Sequence, residues 1–329
     1  MTSLILNQQV EVACEAVETA AKLCENVRSE MTALQAMTKS DKSPVTIADY
    51  GSQAIICKML RDVFPDDPVV AEEDANDLLL PANKDQLERV TSYVTAVLDD
   101  SVGISEEDVP KLIDHGNGAP SNQRFWTLDP IDGTKGFLRG DQYAICLALI
   151  ENGSVKIGII ACPALELGDD SSGGSVTGHL FLAIKGEGAW RKPLYTKKDA
   201  TLTRVQVSQE VDSLVQSFEA SHGNHSSQQA VAKAVGIESL ILMDSQAKYC
   251  IVATGKAALY LRLSSCAENI WDHAAGAILV EEAGGKVSDS NGKSLIFTAP
   301  KMTESKGVVV TNGFLHDEVL SSLKEFLIL

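Results

Sequence analysis

The hydrophobic pattern changes character near residue 200, and that change limits the folds open to the chain. Before it come helices and then alternating strands. Val10, Cys14, Val17, Ala21, Cys24, Val27, Met31 and Leu34 recur at steps of three and four, which predicts one amphipathic helix over 4–36. A second helix is predicted over 46–62 and a third over 84–98. Apolar stretches at 69–71, 125–128, 143–150, 155–162, 180–184 and 189–191 read as strands. Two of the connections, Asn152-Gly153 and Gly186-Glu187-Gly188, carry hairpin chemistry. After residue 200 strands and helices alternate: strands at 204–207, 240–243, 257–263 and 307–311, helices at 227–235, 245–254, 271–282 and 315–327. The expectation is α+β followed by α/β, with one unit over 1–200 built on an antiparallel sheet and another over 201–329 on a parallel or mixed sheet. A length of 329 residues allows two such units.

Where the first unit's strand 125–128 breaks stands Asp129-Pro-Ile-Asp-Gly-Thr134. Pro130 fixes its own φ and biases Asp129 toward an extended conformation, while Gly133 permits a sharp turn. The residues after it, 135–141, read as a loop. A turn of this kind can aim two carboxylates and a carbonyl at one point, which suits a hard divalent cation. The same residues also fit a surface Asx-turn with two solvated acids. Three further acids sit at predicted element ends: Asp49 in a first helical turn, Glu72 at the end of a short strand, and Asp272 opening the helix of Trp271-Asp-His-Ala-Ala-Gly276. Each position has a sufficient structural reason, since acids are favoured at helix N-termini and common at solvated strand ends. Together they would repel one another unless cations neutralised them, and a two-metal site suits in-line displacement at phosphorus. Groups able to meet an anion are also present. Arg262 shares a strand face with Ala258 and Tyr260. Ser245 and Lys248 are helix neighbours, and His222 lies in a polar loop.

Composition narrows the partners. A net charge of −17 disfavours nucleic acid and anionic membranes, both of which are bound through clustered Lys and Arg. No apolar run approaches the ~18 residues of a membrane span, and no signal peptide is visible at the N-terminus. The seven cysteines are odd in number, lack CxxC spacing and mostly lie in apolar stretches, as expected of free thiols in a reducing compartment. A cytoplasmic monomer acting on a small molecule is the expectation. Residues 99–124 form a long polar connection in which Ser105-Glu-Glu-Asp108 predicts a brief helix.

The runs 129–134 and 271–276, about 140 residues apart, resemble the two signatures of the lithium-sensitive, Mg²⁺-dependent phosphatases related to inositol monophosphatase. Asp41-Lys-Ser-Pro-Val-Thr-Ile-Ala-Asp-Tyr50, Phe125–Gly140 and Asp244-Ser-Gln-Ala-Lys-Tyr249 are similar to the 3′(2′),5′-bisphosphate nucleotidases of the fungal and plant salt-tolerance type. The resemblance runs from about residue 5 to about residue 325. It implies a layered α/β/α/β/α sugar-phosphatase sandwich and removal of the 3′-phosphate of adenosine 3′,5′-bisphosphate by Mg²⁺-activated water, with 3′-phosphoadenylyl sulfate as a second substrate. It further implies Li⁺ inhibition and a role linking sulfate assimilation to salt tolerance.

By the same resemblance, Glu72, Asp129 and the Ile131 carbonyl would hold one Mg²⁺. Asp129, Asp132 and Asp272 would hold another, and Asp49 and Glu72 would face a third, weaker site. Asp49 and Thr134 would orient and deprotonate water. Thr134, His222, Ser245, Lys248, Arg262 and Asp272 would contact substrate. The residues leave two alternatives open: the same chemistry on inositol phosphates, and a non-catalytic regulator that binds metal and nucleotide.

Overall fold

The structure, a computed structural model, describes residues 8–30, 37–38, 44–45, 47–98, 103–121, 123–168, 174–195, 201–218, 225–264 and 266–327. Helix α1 spans Gln8–Glu30, and a two-stranded antiparallel ribbon, β1 (Met37–Thr38) and β2 (Pro44–Val45), follows. Helix α2 (Ile47–Val63) leads to β3 (Val69–Ala71), then α3 (Lys84–Val97) and α4 (Asp108–Asp114). At the start of α4 the Asp108 carboxylate accepts from the Ser105 N–H at 3.0 Å, the reach-back contact predicted from that run.

Six strands follow: β4 (Arg124–Asp132), β5 (Ala144–Glu151), β6 (Ser154–Gly168), β7 (Ser175–Ile184), β8 (Gly188–Pro193) and β9 (Thr203–Arg204), with α5 (Thr134–Arg139) after β4. Together with β3 they make a seven-stranded sheet in simple sequence order, antiparallel except for the β3–β4 pair.

The remaining elements are β10 (Ser213–Gln216), α6 (His225–Ala234), β11 (Ser239–Leu242), α7 (Ala247–Ala253), β12 (Leu259–Arg262), α8 (Ala274–Glu282), β13 (Lys286–Ser288), β14 (Val308–Thr311) and α9 (His316–Leu327). Their strands form a mixed sheet in the order β11-β10-β12-β14-β13, in which β10 runs parallel to both β11 and β12.

Alternation along the strands sorts side chains into three apolar layers. Trp126, Leu128, Ile145, Leu147, Leu149, Ile157, Ile159 and Leu182 face α1 and α2. Phe125, Ala144, Cys146, Ala148, Ile150, Ile160 and Phe181 face the opposite way, joining Cys250, Val252, Ile278 and Leu279 of α7 and α8. The second sheet covers that helix pair from beyond with Val215, Tyr260, Val308 and Val310. Its far face, Leu214, Leu259, Leu261 and Val309, packs on Val231 of α6 and on Val319 and Leu323 of α9. The result is the expected α/β/α/β/α order. Burial on both faces explains why β4, β5 and β6 are almost continuously apolar.

Several local expectations are corrected. The strand expected to break at Leu128 continues to Asp132, with its register against β5 shifting between Asp129 and Asp132. The expected loop over 135–141 contains α5, a helix hidden by its shortness and by its flanking glycines, Gly133 (φ 89°) and Gly140 (φ 85°). The strand expected at 204–207 is instead Thr203–Arg204, and it pairs with β8 in the first sheet, where Arg204 lies over the Trp190 ring. Asp272 does not lie within α8 but in the turn ahead of it, and β10 and β13 were not anticipated. The segment 31–36 of the first predicted helix lies outside the described residues.

Candidate active site

The bulge in β4 is built by its neighbours. Ser52, one turn beyond Asp49 on α2, donates its hydroxyl to the Pro130 carbonyl at 2.9 Å. Gly133 takes φ 89°, a left-handed conformation that L side chains rarely adopt, and Thr134 starts α5 directly after it. Thr134 Oγ1 donates to the Ile131 carbonyl at 3.3 Å. On the other side, β3 delivers Glu72 and Glu73. The buried Gln53 of α2 fixes their backbone: its Nε2 donates to the Glu73 carbonyl at 2.6 Å and its Oε1 accepts from the Glu73 N–H at 3.1 Å.

The second half of the chain closes the site. The Gln246 N–H donates to Asp132 Oδ2 at 2.5 Å. The Gln246 side chain donates to the Trp271 carbonyl at 2.8 Å and accepts from the Gly276 N–H at 3.0 Å. This residue therefore locks the turn that carries Asp272. Gly276 itself lies against the Tyr249 ring, where a Cβ would meet Tyr249 Cγ at 2.3 Å, so the small residue in that signature is a packing requirement. Tyr249 OH pairs with His273 Nδ1 at 2.7 Å.

These elements enclose a cleft of about 170 Å³ lined by Glu72, Glu73, Asp129, Ile131, Asp132, Thr134, Lys135, Asp244, Ser245, Lys248, Tyr260, Arg262 and Asp272, among others. Carboxylate oxygens of Asp129, Asp132 and Asp272 lie within 4.8 Å of one another. Asp129 is buried, and its Oδ1 has no hydrogen-bond partner among the described residues. Burial, and after it the charges of Glu72, Asp132, Asp272 and Asp49, push the Asp129 carboxyl well above the ordinary carboxylate range. Burial likewise raises Asp132, against the pull of Lys248 and Arg262, and raises Asp272 to about 7. A buried, unpartnered carboxylate oxygen beside like charges is the donor set that a hard divalent cation satisfies.

The cationic side of the cleft is as specific. Lys248 is buried and donates to the Ser245 carbonyl at 2.7 Å, with its ammonium 5.3 Å from the Tyr260 ring centroid. Burial pulls that ammonium down to about 8. Ser245 adopts φ 65°, a strained value for a residue with a side chain. Arg262 ends β12 and pairs with Glu268 at 2.7 Å, while its Nε–H is buried with no hydrogen-bond partner among the described residues. Burial alone would raise the Glu268 carboxyl, but His273 and Arg262 overcome it and hold it at about 2.

Of the residues singled out from the sequence, Glu72, Asp129, Ile131, Asp132, Thr134, Ser245, Lys248, Arg262 and Asp272 line this one cleft. Asp49 is buried in the first turn of α2, where its charge reaches Asp129. His222 lies outside the described residues. Sequence reading assigned no role to Ser52, Gln53 and Glu268, which line up in no local pattern, or to Gln246, although it stands in the run 244–249. Their one signal is polarity on faces that are otherwise apolar.

The layered fold and its cluster of carboxylates define a class, the metal-dependent phosphatases of the sugar-phosphatase sandwich type. Within that class the chain belongs to the inositol monophosphatase family, whose model matches residues 6–327. It is 41% identical to the 3′(2′),5′-bisphosphate nucleotidase of Emericella nidulans, over 95% of this chain and 96% of that protein. It is 38% identical to the 3′(2′),5′-bisphosphate nucleotidase of Oryza sativa, over 96% of this chain and 94% of that one. Among solved structures, an IMPase from Thermotoga maritima superposes with a TM-score of 0.64 at 22% identity, covering 98% of this chain and 99% of that one. That likeness concerns the fold. Among the described residues, no helix is long and apolar enough to cross a membrane.

Proposed function

We propose that this chain removes the 3′-phosphate of adenosine 3′,5′-bisphosphate, giving AMP and phosphate, and acts on 3′-phosphoadenylyl sulfate as well. The observation that carries the reading is a single cleft in which the Asp129, Asp132 and Asp272 carboxylates stand with Lys248 and with the unpartnered Nε–H of Arg262. Relatives at 38–41% identity that carry the bisphosphate nucleotidase name support the substrate.

Bound divalent cations, Mg²⁺ in this reading and two or three in number, would polarise the attacked phosphate and help water to ionise. Glu72, Asp129 and the Ile131 carbonyl would hold one of them. Asp129, Asp132 and Asp272 would hold another, and Asp49 with Glu72 would face a third. Thr134 orients the attacking water and Asp49 accepts its proton. The water oxygen bonds to phosphorus, the bond from phosphorus to the ribose 3′ oxygen breaks, and the departing oxygen takes a proton from solvent. Ser245, Lys248 and Arg262, with His222, bind the adenosine 5′-phosphate portion. A cationic wall is needed because the rest of this acidic chain repels such an anion.

The family resemblance supports the remaining parts of the reading: Li⁺ sensitivity, a place in sulfate assimilation and salt tolerance, and a cytoplasmic monomer. Phosphate release from adenosine 3′,5′-bisphosphate, its sulfated form, inositol monophosphate and inositol 1,4-bisphosphate, with Mg²⁺ and with or without Li⁺, tests it. Fastest release from the adenosine compounds is expected. Faster release from an inositol phosphate transfers the assignment to that substrate. Release from none of them makes the chain a regulator.

A further inference from the structure

Three parallel strands deliver their carboxyl ends to one edge of the cleft. Arg262 ends β12, Asp244 and Ser245 follow β11, and Phe218 follows β10. Ligands of α/β sheets bind beyond such ends. Asp244, Ser245 and Arg262 line the cleft itself. Phe218 stands one residue further out, and Arg139 connects it to the cleft. The Arg139 guanidinium is ion-paired with Asp244 and lies 4.9 Å from the centroid of the Phe218 ring. Asp141 holds the same side chain through Nε at 2.9 Å. Two carboxylates thus fix the plane of the guanidinium beneath the ring. Phe218 remains 55% exposed.

We propose that Phe218, backed by Arg139, is the platform on which the base of a nucleotide substrate stacks. The inference rests on the nucleotidase reading and deepens it. Lys248 and Arg262 explain attraction for phosphates, which inositol phosphates share, and nothing in the acidic cluster recognises a base. A flat ring carrying a fixed cation on one face is a surface for a flat, polarisable ligand. Stacking uses the π-face that every base has, so the platform selects for the presence of a base and tolerates its identity.

The test is steady-state kinetics of the full chain on adenosine 3′,5′-bisphosphate and on ribose 3,5-bisphosphate, which lacks the base. Phe218→Ala should raise KM for the adenosine compound about tenfold relative to the base-free one, at similar kcat. Phe218→Leu, which keeps apolar bulk without a π-system, should show the same loss, and Phe218→Trp should restore wild-type KM. Guanosine 3′,5′-bisphosphate should respond as the adenosine compound does. An unchanged KM, an equal rise for both substrates, or rescue by leucine overturns the platform while leaving the nucleotidase reading intact. A wild type inactive on adenosine bisphosphate overturns that reading and the platform with it.

Discussion

The backbone N–H of Gln246 donates to Asp132 Oδ2 at 2.5 Å, so the acid that ends β4 in the first sheet is held by the residue just ahead of α7 in the second half of the chain. The Gln246 side chain extends the link to Trp271 and Gly276, beside Asp272. Two of the three clustered carboxylates therefore depend on one buried glutamine. Gln246→Ala leaves the Trp271 carbonyl and the Gly276 N–H without a partner, and each such loss costs about 1–3 kcal/mol. We expect urea unfolding to show a stability loss of about 2–4 kcal/mol, and phosphate release to fall because the Asp272 turn is no longer fixed. A variant that keeps its stability would remove Gln246 from that role.

How much of this was legible beforehand depends on whether a feature is local. Asp129, Asp132, Gly133 and Thr134 form a contiguous run whose proline and glycine announce an unusual backbone, and the structure places all four at the bulge or directly after it. Most helices and strands were legible too, because helical and alternating patterns are periodic, whereas the five-layer order followed from the family resemblance. Ser52, Gln53 and Gln246 act across 20 to 114 positions of sequence and Glu268 through a neighbouring charge, and a single polar residue on a buried face leaves no periodic trace. Strand β10, four residues in a polar setting, was missed because too few positions alternate to show a period. That strand leads to Phe218, whose ring lies against the Arg139 that pairs with Asp244 of the cleft.

The acidic cluster predicts a pH-dependent stability in the absence of metal. Asp129, Asp132 and Asp272 all have folded carboxyls raised above their unfolded values, Asp272 to about 7. A carboxyl raised by folding binds more protons in the native state, so stability falls as pH rises from the unfolded value, near 4, through the folded one. In EDTA, Tm should therefore decline between pH 5 and 8. Adding Mg²⁺ at pH 8 should restore it, and Asp129→Asn should be more stable than wild type in EDTA at pH 8 while losing divalent-cation activation. A flat Tm profile in EDTA would show that the acids do not strain the metal-free fold.

In the proposed reading, Lys248 sets the alkaline side of the activity. Burial pulls its ammonium down to about 8, so the charge that attracts a phosphate is present below that pH and disappears above it. The pH profile of kcat/KM, which reports the free enzyme, should fall above about pH 8. Lys248→Met should raise KM for adenosine 3′,5′-bisphosphate and abolish this alkaline limb, leaving kcat/KM level from pH 7.5 to 9. If the limb survives in Lys248→Met, its source is another group.

In the proposed reading, Glu268 is the partner that keeps Arg262 available to substrate. It holds the guanidinium at 2.7 Å and stays ionised because His273 and Arg262 both favour its charge. Asp132 and Asp272 already feel the charge of Arg262. Removing Glu268 leaves the charges of these two acids to draw on the guanidinium. Glu268→Ala should then have two effects together. KM for adenosine 3′,5′-bisphosphate should rise about tenfold, a loss of about 1.4 kcal/mol in binding. The Mg²⁺ concentration for half-maximal activity should rise as well, because Arg262 would compete for carboxylates that the cation needs. Glu268→Gln retains an oxygen that can accept from Arg262 and should recover most of the KM but little of the Mg²⁺ shift, since the amide cannot balance the guanidinium charge. Titrating Mg²⁺ at fixed substrate, and substrate at saturating Mg²⁺, separates the two effects. A rise in KM with no change in Mg²⁺ dependence would mean that Glu268 orients Arg262 without restraining it from the acids.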